Sequence, residues 1–307
     1  DHNTLVLSGK GAGADSSAIR NNVDQNLLAS VRKERSGLGV LSVTDNYLKQ
    51  VQDTFGSTTS NSSIANRINK LAQDFTTLST DPEKATSQLQ VLQSAQALAN
   101  NLSNVGNTLQ NLRLNADRDI AQTTTQMNAI LDQISKLNDQ IALNSATHRG
   151  TADLEDKRDN ALSSLADLID IRYFKNANGS VTVFTTDGTT LVDSSPTTMS
   201  HVPLTFVNPT DSYAGGNFNA ITAGVRDITT SIRSGKLKGL IDLRDKTLPD
   251  MQAQVDELAR SLQEQVNLVH NRGTSFPTLV NNVTGTQQFM DPNVETVTFS
   301  GGEPSVV

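Results

Sequence analysis

Between Glu83 and Asn144 the chain has no proline and one interior glycine, Gly106. Leu102, Val105, Leu109, Leu112, Ala116, Ile120, Met127, Ile130, Ile134, Leu137 and Ile141 alternate steps of three and four, broken by an extra four at Ile120 and a polar Thr123. This heptad with one stutter predicts a single helix, a rod of about 90 Å in which Gly106 costs roughly 1 kcal/mol. A rod of that length cannot cover its own apolar stripe, so the rest of the fold must supply sister helices.

Those sisters are legible on both sides. Ile19, Val23, Leu27 and Val31 predict a short amphipathic helix, Leu38, Leu41, Leu48, Val51 and Phe55 a second, and Ile64, Ile68, Leu71, Phe75 and Leu78 a third. In "STDPEK", Thr80 or Asp81 reads as the N-cap of the long helix, with Pro82 in its first turn. After the rod, Leu154, Ala161, Leu165 and Leu168 form the apolar face of an amphipathic helix within the stretch 151–171. Its other face carries Asp153, Glu155, Asp156, Lys157, Arg158 and Asp159. The period then falls to two, with hairpin signals at Asn178-Gly179 and Asp187-Gly188. It returns to the helical value from about 223, through Leu248, Met251, Val255, Leu258, Leu262, Val266 and Val269 to a C-cap at Gly273.

Four segments follow: an N-terminal extended or short-helix part (1–36), a helical rod domain (37–170 and 223–273), a β-hairpin patch within it (171–222), and the start of an outer β domain (274–307). The fold class expected is α+β: an elongated, mainly helical rod of long antiparallel, coiled-coil-like helices with small β elements.

Chemistry finds little to work with. The net charge is -7 and the basic residues are scattered, against the concentrated positive surface that nucleic acid requires. No apolar run approaches the ~20 residues of a membrane span, and the first residues carry no signal-peptide pattern. The absence of cysteine removes thiol chemistry, and His2, His148, His201 and His270 are far apart in sequence, which argues against a metal site. The "GKGAG" at 9–13 lacks the spacing of a phosphate loop. In the 153–159 cluster Glu155 and Asp159 form a repulsive i,i+4 pair, which neighbouring cations must offset. The cluster therefore reads as the outer side of a docking helix, with Arg158 or Asp159 tied to the element it meets.

"ILDQISKLNDQIALNS" (130–145), "ADLEDKRDNALSSLADLIDI" (152–171), the hairpin patch and "SGKLKGLIDLRDKTLPDMQAQVDELARSLQEQVNLVHNRG" (234–273) follow one another in an order that resembles the flagellar hook-associated protein FlgK family; "DPEKATSQLQVLQSAQALANNLS" (81–103) fits it too. The resemblance covers roughly 19–280. It implies a structural, non-enzymatic protein without cofactor, exported without a cleaved signal and assembled as an extracellular ring that joins hook to filament through helix packing. Implied partners are other copies of the chain, the hook protein, the next junction protein or filament, and an export chaperone, with neither nucleic acid nor membrane insertion. The family's terminal assembly segments have no counterpart here, so a fragment is expected. A signalling or secreted coiled coil, receptor-like or adhesin, is the alternative reading of the heptads. Leu154, Arg158, Asp159, Leu162, Leu165, Leu240, Arg244 and Asp245 are the expected packing motifs. Leu102, Leu109, Ile130, Ile134, Leu137 and Ile141 are the expected subunit interface.

Overall fold

The computed structural model describes residues 6–7, 10–11, 25–56 and 63–272. Elements β1 (Val6–Leu7) and β2 (Lys10–Gly11) form an antiparallel ladder. Helices α1 (Gln25–Phe55), α2 (Ile64–Thr80), α3 (Ala85–Ala146) and α4 (Ala152–Leu168) follow. Six short strands come next: β3 (Ile171–Lys175), β4 (Val181–Thr185), β5 (Thr190–Val192), β6 (Met199–Ser200), β7 (Thr222–Ala223) and β8 (Arg226–Asp227). The described chain closes with α5 (Lys236–Asp242), a π-helical turn (Leu243–Thr247) and α6 (Leu248–Arg272). The architecture is α+β, mostly helical with small antiparallel sheets.

Two compact units divide the described residues: 6–7, 10–11, 25–56 and 105–252 in one, 63–104 and 253–272 in the other. This division cuts across the single rod domain expected over 37–170 and 223–273. The expected outer β domain at 274–307, the C-cap at Gly273 and the residues Ile19 and Val23 lie outside the described residues.

In the first unit α3 supplies the spine. One stripe among its buried positions runs through Val105, Leu109, Leu112, Ala116, Ile120, Thr123, Met127, Leu131, Ile134, Asn138 and Ile141. Their steps are 4-3-4, repeated three times from Val105 to Asn138, so the register is a repeat of eleven rather than a heptad with one stutter. Eleven residues in three turns give 3.67 per turn, near the natural 3.6, so the stripe holds its bearing without left-handed supercoiling. His148, at φ 53, leaves the helical region after α3, and Arg149 donates back to the Asn144 carbonyl at 2.8 Å.

Several boundaries differ from expectation. Helix α1 runs unbroken across the 36/37 boundary, because Gly37 and Gly39 lower helix propensity without interrupting the hydrogen-bond ladder. Its covered stripe is Arg32, Ser36, Val43, Tyr47 and Val51, whereas Leu38 and Leu41 are 63% and 66% exposed. Asp81 caps the end of α2, and Pro82 sits in the turn before α3 instead of in its first turn. Strands extend to Asp227 and the helical part resumes only at Lys236, where Leu237 and Leu240 enter the core.

The β3–β4 and β4–β5 hairpins share one construction. Asn176 N–H bonds to Ser180 O and Gly179 N–H to Asn176 O; Thr185, Gly188 and Thr189 repeat the arrangement. Gly179 and Gly188 stand at φ 85 and 88, the left-handed position that glycine fills without steric cost. The sheet order is β3-β4-β5, with β6-β7-β8 as a second three-stranded sheet.

In the second unit, Ser63 caps α2 by accepting from Asn66 N–H at 3.3 Å. Ile64, Leu71, Leu98 and Val255 are its buried apolar residues, and Lys70 pairs at 2.5 Å with the buried carboxylate of Asp74.

Candidate functional site

The first unit fastens its β elements to helix α3 through side chains that sit in or beside the eleven-residue stripe. Asn138 donates its amide to Val181 O at 2.7 Å and accepts from Val181 N–H at 2.9 Å. Asn128 does the same with Met199, at 2.8 and 2.7 Å. Each carboxamide thus reads like the peptide group of a neighbouring strand and satisfies both backbone groups of one strand residue. An asparagine among apolar positions is the sequence signal for this arrangement.

A buried ion cluster lies on the same helix. Asp117 accepts from Arg244 Nη1 at 2.7 Å, His201 Nε2 at 2.8 Å and Leu204 N–H at 2.7 Å. The Asp117, His201 and Arg244 side chains are all fully buried. Arg244 also grips Asp245 with Nε and Nη2, both at 2.8 Å, and its guanidinium lies 4.3 Å from the Phe218 ring centroid. Burial pushes the Asp117 carboxyl up, yet the bonds from His201, Leu204 and Arg244 prevail and hold it below its ordinary value. Burial likewise works against the charged Arg244, and Asp245 and Asp117 together outweigh it and raise its pKa. The π-helical turn inserts one residue's worth of rotation at Leu243–Thr247, the segment that carries both Arg244 and Asp245.

Arg113, one turn before Asp117, meets mainly carbonyls. Nε donates to Arg244 O at 3.0 Å, Nη1 to Asn208 O at 3.1 Å and Pro209 O at 3.3 Å, and Nη2 to Asp211 O at 2.5 Å. Burial lowers its pKa. Asp117 and Arg113 together pin the segment 201–211 to α3. A His–Asp pair invites comparison with a catalytic triad, but here the other ring nitrogen, Nδ1, faces the Ala220 carbonyl at 3.4 Å instead of a hydroxyl. The geometry is that of a sealed structural joint.

The charge cluster at 153–159 is a second joint. Arg158 is buried and donates to Gly179 O at 2.7 Å, so α4 holds the first hairpin turn. Asp159 accepts from Arg32 of α1 at 3.2 Å, and Arg32 also donates to the Tyr173 hydroxyl at 2.5 Å. The repulsion between Glu155 and Asp159 is relieved by Lys175 at 3.1 Å on the first and Arg32 on the second. Of the expected packing residues, Leu162, Leu165 and Leu240 are fully buried, and Leu154 and Asp245 are half-buried.

Glycines set a third joint, among α1, α4 and α5. A Cβ on Gly39 would stand 2.2 Å from Asp167 O, one on Gly235 2.4 Å from Leu168 O, and one on Gly239 2.4 Å from Val43 Cγ1. Gly235 N–H donates to Ser36 O at 3.0 Å. The "GKLKGL" segment therefore needs its glycines for close backbone approach.

The expected subunit interface requires correction. Leu109, Ile134, Leu137 and Ile141 are buried by the chain itself, because the β elements and neighbouring helices already cover the α3 stripe. Leu102 and Ile130 are half-buried. The outward apolar side chains lie elsewhere, with Val31, Leu38 and Leu41 on α1 and Leu89 and Leu92 on α3. Arg113, Asp117, Asn128, Asn138 and His201 are not among the expected site residues; each of the five has at least one partner 43 or more positions away.

Residues 48–289 match the family model described as the flagellar hook-associated protein FlgK helical domain. Flagellar hook-associated protein 1 of Bacillus subtilis (strain 168) is 22% identical over 286 residues, which is 86% of this chain and 56% of that protein. Its namesake in Salmonella typhimurium (strain LT2) is 23% identical over 215 residues, 69% of this chain and 38% of that protein. The chain thus spans about half or less of the length of these relatives. Among solved structures, the flagellar hook junction protein FlgK from Burkholderia pseudomallei superposes with a TM-score of 0.65 at 27% identity, covering 81% of this chain and 44% of that one. Carrying the helical domain over most of its length, the chain belongs to the FlgK family of flagellar hook-associated proteins.

Proposed function

We propose that this chain serves as the helical domain of a hook–filament junction subunit, a mechanical coupling with no catalytic role. The observation that carries the reading is the match of the FlgK helical domain over residues 48–289. The structure supports it in two ways. Polar side chains at the joints are spent on bonds within the chain, as in the Asp117–Arg244–His201 cluster, which leaves them no substrate to meet. Helix α1 meanwhile holds Leu38 and Leu41 outward, the kind of surface that packing against another helix would cover.

In this reading copies of the chain form an extracellular ring through helix packing, exported without a cleaved signal with the help of a chaperone. The ring contacts hook protein on one side and the next junction protein or filament on the other. Val31, Leu38 and Leu41, with the half-buried Leu102 and Ile130, are the interface residues, in place of the buried part of the α3 stripe. The receptor-like or adhesin alternative rested on heptads, and the eleven-residue register of α3 withdraws that support. The test is complementation: the intact protein supplied to a strain lacking its junction protein restores filaments on hooks. Export of a folded protein that leaves the hooks bare would reject the proposal.

A further inference from the structure

Asn178-Gly179 is the only Asn-Gly dipeptide in the chain, and the structure gives its side-chain amide an unusual setting. Asn178 is exposed at the tip of the first hairpin. Its Oδ1 accepts two bonds from one neighbour, from Ser180 N–H at 3.1 Å and from Ser180 Oγ at 2.7 Å. Two donors converging on a carbonyl oxygen are the arrangement that stabilises negative charge when a nucleophile adds to that carbonyl. The nucleophile that closes a five-membered ring is the backbone nitrogen of the next residue, Gly179, whose missing Cβ leaves the main chain free to turn toward the Asn178 side chain.

We propose that Asn178 is a site of spontaneous deamidation in the folded protein, with Ser180 as the positioning residue that polarises its amide. The Gly179 nitrogen gives up its proton to a solvent base and bonds to Asn178 Cγ. Ammonia leaves with a proton from water, closing a succinimide. Water then opens the ring at either carbonyl, yielding aspartate or isoaspartate, so the net change is amide plus water to acid plus ammonia. The Gly179 N–H is held by Asn176 O at 3.0 Å, and release of that bond is the step that admits the reaction. The second hairpin turn, Asp187-Gly188, has the same backbone bonds but carries a carboxylate, which resists nucleophilic attack, and serves as a control within the same chain.

The product matters because of what Gly179 does. Its carbonyl is the acceptor for the buried Arg158, and isoaspartate at 178 adds a methylene to the main chain directly before it. Displacing that carbonyl leaves a buried cation without its bond and loosens α4 from the hairpin. Deamidation thus acts as a clock on one internal joint, while the ion cluster on α3 stays intact.

The experiment incubates the intact folded protein in mildly alkaline buffer and follows aspartate and isoaspartate at each asparagine by peptide mass spectrometry. Hydrogen exchange of residues 158–181 is measured on fresh and aged samples. Conversion at Asn178 is expected ahead of every other asparagine, with faster exchange around Arg158 in the aged protein. Ser180→Ala is expected to slow it about tenfold, less than one oxyanion donor contributes in an enzyme. Conversion at Asn178 no faster than elsewhere overturns the proposal, as does an unchanged rate in a Ser180→Ala protein with native circular dichroism. Should Ser180→Ala fail to fold, the ranking of asparagines in the native chain decides alone.

Discussion

Asp117 carries the sharpest consequences at the scale of a single residue. It is the common acceptor for Arg244, His201 and the Leu204 N–H, so Asp117→Ala leaves the buried imidazole and the Leu204 N–H without this acceptor and Arg244 with Asp245 as its remaining carboxylate. Breaking a buried pair from one side costs about 3–5 kcal/mol, and urea unfolding of the variant is expected to show a loss of that size. Acid should do part of the same work. Because the folded carboxyl titrates below its ordinary value of 3.8, its contribution is complete above that value and is lost as pH falls through the lower folded one. The stability gap between the parent and Asp117→Asn should therefore shrink as pH falls below about 4 in chemical unfolding. A gap that stays constant over that range would mean the carboxylate contributes nothing through its charge. Asn138→Ala removes both partners of the Val181 backbone and should cost about 1–3 kcal/mol, with hydrogen exchange rising first at β4.

Elements explain which parts of this architecture were readable in advance. Helices α3 and α6 were legible because apolar steps of three and four persist over many turns, and the hairpins because glycine is required at their left-handed positions. Helix α1 was misjudged because it carries two stripes. Periodicity ranks them by apolarity, whereas tertiary packing covered the one with Arg32, Ser36, Val43, Tyr47 and Val51. Glu155, Arg158 and Asp159 were legible as a cluster that had to be neutralised, while their partners Lys175, Gly179 and Arg32 were not, since pairing at that distance is decided by the fold. The Asp117–Arg244 pair spans 127 positions and left no local pattern at all. Glycines offer a test of opposite signs on these elements. Gly239→Ala drives a methyl into Val43 and the Val40 backbone and should destabilise by about 1–3 kcal/mol. A Cβ at Gly37 meets nothing within 4 Å, so Gly37→Ala should stabilise α1 by roughly 0.5–1 kcal/mol. Thermal melts of the two variants should move in opposite directions.

The whole molecule divides its apolar residues between two tasks. Leu109, Ile134 and Ile141 hold the first unit together, and Leu38 and Leu41 remain exposed on its surface. A charge placed on the first group is expected to prevent folding, and one placed on the second to spare folding and affect only assembly. The most direct test of the junction reading therefore introduces Leu38→Glu with Leu41→Glu into the intact protein and expresses it in a strain lacking its junction protein. Export and a melting temperature equal to the parent's, together with hooks that carry no filament, are the predicted result. Filaments formed as readily as with the parent protein would contradict the account, because the outward face of α1 would then have no part in the joint.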